Sequence, residues 1–486
     1  MVRQFLLTKI NLGWLWIIIP FLFFACQNNE WQSYIPQAGT YSSPKAVDLN
    51  GDGTKDVVLG AGGKKEWEFS ENGVLAFNGK NGEILWKIPC RNQVVGSPIF
   101  QDITADGTAD VFIGGRSAQF LAIDGKKGEV IWEFLPHVPE IDYLNDTSIL
   151  NFFTPTLVPD QDNDGIKDLL VSYGGFVKAA PHETQRPVGY LMVFSAKSGK
   201  VLAKAPMPDG KETYMSPIIQ VYDDDLRVFF GSGGETISGN FYATSLRDIM
   251  DGKIQEYTTI AKGDQKGFIA PPVLADLNKD GEEDIIVNAF EGKVLAFEGC
   301  TFELLWEVNV GSEYETHAMP CVEDFTNNGE VDVFVNFGKG TWPAIESAVQ
   351  ILINGATGKY YFLDSIGSIQ YASPVIFSSK GKKEAQIIYP INNKVPTNYA
   401  PELGLPEFTY EVKLSVFNAL PANHETIATQ KGINIGSTPL VEDLNGDGEQ
   451  EIIFIINYIK NNPFVSEGIT LKCIPYKFRA LGKIQE

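Results

Sequence analysis

Asp48, Asn50, Asp52 and Asp56, in "AVDLNGDGTKDVVLGAG", set oxygen side chains at positions 1, 3, 5 and 9 of a short loop with Gly53 at position 6. With a backbone carbonyl available at position 7, this spacing suits Ca²⁺, a hard cation that takes six or more oxygen ligands. The pattern returns as Asp102, Thr104, Asp106, Asp110; as Asp160, Asp162, Asp164, Asp168; and as Asp276, Asn278, Asp280, Asp284. It returns again as Asp324, Thr326, Asn328, Asp332, where Thr326 and Asn328 lower the charge, and as Asp443, Asn445, Asp447, Glu451. Up to six structural calcium ions are expected. The alternative at each loop is an Asp-rich turn whose side chains bond their own backbone.

Little else in the chain is arranged for chemistry. Four His and five Cys, none in a CxxC pair, do not assemble a zinc site. A Ser-His-Asp order, a nucleotide loop and an HExxH helix are all missing from the sequence. The net charge of −22, without any Lys/Arg run, excludes nucleic acid as an expected partner. Much of that acidity sits in the regular loops.

The elements that must hold these loops also repeat. A short strand starting near a proline precedes each loop: Pro44, Pro98, Pro155, Pro217, Pro272, Pro320, Pro374 and Pro439, spaced 48 to 65 residues apart. After Pro217 and Pro374 the loop has decayed ("QVYDDDLRVFFG", "FSSKGKKEAQIIYP"). The second half of the unit repeats as "VLAFNGKNGEILWKI", "FLAIDGKKGEVIWEF", "LMVFSAKSGKVLAKA", "VLAFEGCTFELLWEV" and "QILINGATGKYYFLD". Here two apolar strands flank a Gly turn that requires positive φ. Trp86, Trp132 and Trp306 share one offset, with Ala203 and Phe362 in their place elsewhere. A unit of strand A, acidic loop, strand B, variable loop, strand C, Gly turn and strand D is the blade of an all-β propeller. Eight blades are expected, with seven as the alternative. The last unit lacks a fourth strand, and "EWQSYIPQAGTYSSP" resembles "LWKIPCRNQVVGSP", so the N-terminal strand is expected to complete the last blade and remove an open edge.

Residues 1–26 read as an export signal, with Arg3 and Lys9 before an apolar run of about 15 residues, shorter than the roughly 20 of a bilayer span. "FFAC" resembles a bacterial lipobox. That resemblance implies lipidation of Cys26 and, with Gln27 following it, an outer-membrane lipoprotein facing the periplasm or the cell surface. Residues 31–478 are expected to form one propeller domain and 479–486 a short tail. Cys90, Cys300, Cys321 and Cys473 are expected to behave as buried small hydrophobes, although an oxidising compartment permits disulfides.

The "DLNGDGTKDVVLG" element resembles the FG-GAP repeat of integrin-α-like propellers, which implies calcium in the A–B loop. The "LAFNGKNGEILW" element resembles the repeat of quinoprotein-like propellers, a group that includes pyrroloquinoline quinone (PQQ) dehydrogenases and the lipoprotein of the outer-membrane assembly machinery. That likeness implies that the Trp residues lock neighbouring blades.

In such a blade the acidic loops and Gly turns share one face, and the longer B–C and D–A segments share the other. The long segments carry Trp67, Tyr143, His182, Arg186, Trp342, Tyr399 and Phe408, with His317 in "SEYETHAMP" nearby. Aromatics and Arg on loops of a rigid scaffold suit recognition, although each of them alone is equally suited to packing a loop on the rim. Three functions follow. The first is a lipoprotein that binds a protein or glycan in the envelope, with calcium purely structural. The second is a polysaccharide lyase or hydrolase, for which His182, His317 and Glu346 are available without a demanding spacing. The third is a PQQ dehydrogenase, which the lack of an assignable Asp base and of an adjacent Cys pair disfavours.

Overall fold

The computed structural model describes residues 30–136, 142–143, 145–180, 182–222, 225–341, 344–378, 384–396, 408–418, 423–459 and 465–477. Their strands form eight separate antiparallel sheets, the eight blades of a propeller. Every strand A begins directly after its marker proline, as at Lys45–Val47, Ile99–Gln101 and Leu440–Glu442. Proline has no N–H to give and prefers extended φ, so it marks the entry to a strand without disturbing the ladder. The B and C strands carry the buried runs, as in Asp56–Gly60 and Asp110–Gly114 of strand B and Phe120–Asp124 of strand C. Strand D alternates exposed and buried residues at the outer edge, as in Ile84–Cys90.

The ring closes with the N-terminal strand. Trp31–Pro36 pairs antiparallel with Ser466–Tyr476, from Trp31 opposite Cys473 to Pro36 opposite Gly468. This supplies strand D of the eighth blade, whose sheet order places it at the outer edge.

Indoles join the blades. Trp86 Nε1 donates to Gly125 O at 2.8 Å, Trp132 Nε1 to Ala196 O at 2.7 Å and Trp306 Nε1 to Gly355 O at 2.5 Å, each in the Gly turn of the next blade. Trp31 makes the same bond to Gly79 O at 2.8 Å, so one indole spans the seam between last and first blades. Gly128 shows why the turn needs glycine: its φ is +66°, and a Cβ there would lie 2.4 Å from the Trp86 ring. Between blades three and four the lock changes form. The C–D connection of blade four holds the helix Leu246–Met250, capped by Ser245, and its Leu246 and Ile249 pack against Ala203 and Ala205. A small residue at position 203 makes room for that helix. Between blades four and five, the Arg227 guanidinium reaches Gly299 O at 2.7 Å and lies over the Phe302 ring.

A second seal runs round the axis. The residue before the marker proline carries a hydroxyl in most blades, and it accepts the backbone N–H of the corresponding residue one blade earlier. Met319 N–H donates to Ser373, Ser373 to Thr438, Thr438 to Ser43, Ser43 to Ser97 and Ser97 to Thr154.

In one respect the structure departs from the sequence expectation. The segments read as irregular loops around Trp342 and between Asn392 and Glu411 are strand where the structure describes them. Asp332–Thr341 pairs with Ala344–Asn354, and Ala385–Pro396 pairs with Phe408–Asn418. Long hairpins therefore rise from blades six and seven. Cys90, Cys321 and Cys473 are buried and free, as small hydrophobes would be, but Cys300 is free and exposed in the C–D turn of blade five.

Candidate functional site

On the short-connection face each acidic loop winds round its first residue. Asp48 Oδ1 accepts from Gly51 N–H at 2.8 Å and Oδ2 from Gly53 N–H at 2.9 Å; Asp443 repeats this with Gly446 and Gly448. The ninth residue faces inward. Asp56 is fully buried, its two oxygens accepting from Leu49 and Gly79 N–H, each at 3.0 Å, so it ties the loop to the Gly turn of its own blade. Asp110, Asp168 and Asp284 do the same with Gly125, Ala196 and Gly299. Glu451 holds Leu444 N–H, and Asp332 holds the N–H and hydroxyl of Thr326. Burial pushes the carboxyls of Asp56, Asp110, Asp168 and Asp284 up, and that of Asp332 up to about 6.

The donors fit a hard cation best in blade three. Carboxylate oxygens of Asp160, Asp162 and Asp168 lie within 4.8 Å of one another, the one such cluster among the described residues. Asp164, the other acid expected to serve as a ligand there, is not part of that cluster. Lys80 Nζ lies 3.0 Å from Asp52 in blade one, and Lys126 Nζ lies 3.9 Å from Asp106 in blade two. A cation there would compete with a lysine for the fifth-position acid.

The opposite face holds the more distinctive site. A cavity of about 350 Å³ sits at the mouth of the central channel, lined by residues just before strand A in all eight blades. The position three residues before the marker proline supplies Tyr41, Tyr214, His317 and Tyr371. Three B–C loops add charged groups. Glu66 Oε1 lies 2.8 Å from Arg116 Nη2, joining blades one and two. Glu235 leans from blade four, and its Oε1 accepts from His317 Nε2 of blade six at 2.8 Å. The His317 ring is held edge-to-face by Phe290, at 4.9 Å between centroids, and by Tyr371 at 4.4 Å.

Electrostatics places Glu235 at the centre of this cluster. Burial raises its pKa, but the His317 hydrogen bond and charge, with Arg116 and Lys266 further off, bring the carboxyl below its usual value. It is therefore ionised at neutral pH. Burial pushes the phenols of Tyr41, Tyr214 and Tyr371 well up, with Glu235 adding to each, so all three stay protonated donors. Beneath them Tyr214 donates to Glu212 at 2.8 Å, and Lys266 pairs with Glu315.

Of the residues expected to meet a partner, the structure brings only His317 into this cluster. Trp67 follows Glu66 and is 47% exposed. His182 is exposed on the same face. Tyr143 is part of the rim packing, with the Arg91 guanidinium 4.2 Å above its ring. Arg186 is structural: its guanidinium donates to Glu183 O, Ala180 O and Thr236 Oγ1 and lies beside the buried Glu212, pinning its loop to blade four. Phe408 opens a long strand. Trp342, Tyr399 and Cys26 lie outside the described residues, as does the side chain of Phe408.

Tyr41, Tyr214, Tyr371, Glu66, Arg116 and Glu235 were not expected from the sequence. A signal was available for the tyrosines: "TYSSP", "TYMSP", "QYASP" and "THAMP" repeat an aromatic three residues before the marker proline, a position that lines the cavity in every blade but the third, where Phe152 is buried in the core.

Known proteins agree with this architecture. Human FAM234B is 25% identical over 254 residues, which cover 46% of this chain and 34% of that protein, so the match spans about a third of the relative's length. A europium-containing methanol dehydrogenase superposes with a TM-score of 0.58 at 12% identity, covering 91% of this chain and 92% of the dehydrogenase. BamB from Moraxella catarrhalis superposes with a TM-score of 0.50 at 12% identity, covering 93% of this chain and 99% of BamB. At such identities the superpositions show a common fold. The family model of the FAM234A/B beta-propeller matches residues 31–358, about two thirds of the sequence, and the chain belongs to that family.

Proposed function

We propose that this propeller is a recognition module of the cell envelope that binds a protein or glycan partner on its long-connection face and performs no catalysis. The supporting observation is the channel mouth, where all eight blades converge on one cavity and Glu235 reaches from blade four to His317 of blade six. A concave site with a few convergent polar groups is the usual form of a ligand pocket. PQQ is disfavoured there, because Arg116 is already neutralised by Glu66 and, among the described residues, no surplus cation lines the cavity for a polycarboxylate quinone.

The acidic loops of the other face hold structural calcium in this reading, and the N-terminal segment supplies a lipid anchor at Cys26 in the outer membrane. The Cys26→Ser variant is expected to lose acyl labelling and leave the membrane fraction; unchanged labelling would refute the anchor. For the recognition face, the full chain is expected to be retained on immobilised envelope extract of its source organism. The double variant Trp67→Ala/Phe69→Ala, with both rings exposed beside the mouth, should weaken retention, while Ile84→Ser at the opposite end of blade one should not. Equal retention of all three proteins would overturn the assignment of this face.

A further inference from the structure

We propose that the channel mouth takes the terminal pyranose of a neutral glycan, Glu235 and Glu66 accepting from its hydroxyls and Arg116 donating to them; this rests on the recognition reading above. Charge narrows the ligand first. The formally charged residues lining the cavity are Glu66, Arg116 and Glu235, with His317 beside them. Arg116 pairs with Glu66 and His317 with Glu235. An anion would meet two carboxylates and no uncommitted cation, while a cationic amine would have to displace a cation already in place. A neutral ligand carrying its own donors and acceptors has neither conflict.

Hydrogen-bond accounting narrows it further. The carboxylates of Glu66 and Glu235 accept and the Arg116 guanidinium donates, so the lining suits a ligand whose groups do both. A sugar hydroxyl does both. Tyr41, Tyr214 and Tyr371 line the same cavity, and aromatic lining suits the C–H face of a pyranose. The volume of about 350 Å³ is at the small end for ligand pockets, which suits one or two rings.

Trp67 extends the site outward. It directly follows Glu66, keeps 47% of its surface exposed and has φ +71°, a left-handed conformation costly for an aromatic residue. Asn92 Oδ1 accepts the Trp67 backbone N–H at 2.9 Å, which holds the main chain in that conformation. An exposed indole on the residue next to Glu66 is a platform for the next sugar.

Saturation-transfer NMR on the full chain tests this, using neutral methyl pyranosides (glucoside, galactoside, mannoside, N-acetylglucosaminide), glucuronate, sialate and choline. At least one neutral pyranoside is expected to bind more tightly than any charged probe, and Glu235→Gln should weaken it about tenfold, as loss of a charged hydrogen bond implies. Trp67→Ala should weaken a disaccharide glycoside more than a monosaccharide one; this exposed site keeps the test valid if Glu235→Gln fails to fold. Absence of neutral binding, preference for a charged probe, or indifference to both substitutions would overturn the proposal. Treating the immobilised envelope extract separates this from the broader reading. Retention destroyed by periodate but not by protease supports a glycan. Retention destroyed by protease alone overturns the saccharide and leaves the recognition face standing.

Discussion

Trp31→Ala is expected to lower the free energy of unfolding by about 3–5 kcal/mol, the range for truncating a large buried aromatic side chain. Its indole is 7% exposed, packs in the cluster with Leu444, Leu471 and Cys473, and donates to Gly79 O across the seam. Trp86 and Trp132 make the same bond while only partly buried, so their alanine variants should cost less. The difference also has a topological source: Trp31 belongs to a strand that continues into blade one and is held to the other strands of the last blade by noncovalent contacts. Losing it frees the edge of Ser466–Tyr476, whose ladder groups then lack partners. Trp31→Phe keeps most of the apolar area and loses the hydrogen bond, so a loss nearer 1 kcal/mol is expected. Urea denaturation of the four variants checks the order. A midpoint for Trp31→Ala equal to that of the unaltered protein would refute the clasp.

Chelation is the second large effect. A site saturated at about 1,000 times its dissociation constant contributes about 4 kcal/mol to the folded state, and sites in separate blades act on one cooperative ring. EDTA is therefore expected to lower the melting temperature markedly, with recovery on adding calcium. The buried ninth-position acids supply the reason, since their negative charge is held in a desolvated position by N–H groups alone until a cation arrives. Asp52→Ala should cost little, because Lys80 already neutralises that acid and the other loops remain. Asp160→Asn should cost more, at the loop whose carboxylates lie closest together. A melt unchanged by EDTA, with no metal by elemental analysis, would leave the loops as turns braced by their own hydrogen bonds.

Most of the fold was legible because a propeller states its unit eight times. The marker prolines located every strand A, and the missing strand in the last unit located the clasp. What escaped depended on tertiary partners. "NFGKGTWPAIESA" reads as a loop by its Gly and Pro content, yet the facing strands of blade six pair through most of it. Arg186 looks like a surface cation, but three oxygen acceptors hold its guanidinium. The channel site was half visible. Its tyrosines follow the repeat, whereas Glu66, Arg116 and Glu235 sit in B–C loops of different length, and only the closed ring brings them together.

The seam also orders events in time. Residues 31–36 leave the ribosome first among the strands, and their partner, residues 466–476, leaves last. The earliest strand must wait for residues 466–476, and a pairing across so long a loop is slow to form, unlike the local hairpins that build the other blades. During that interval the nascent ring carries a free strand at one end and an open edge at the other. Each is complementary to the same element of a neighbouring copy, so at high synthesis rates the natural error is an exchange of first strands between two chains.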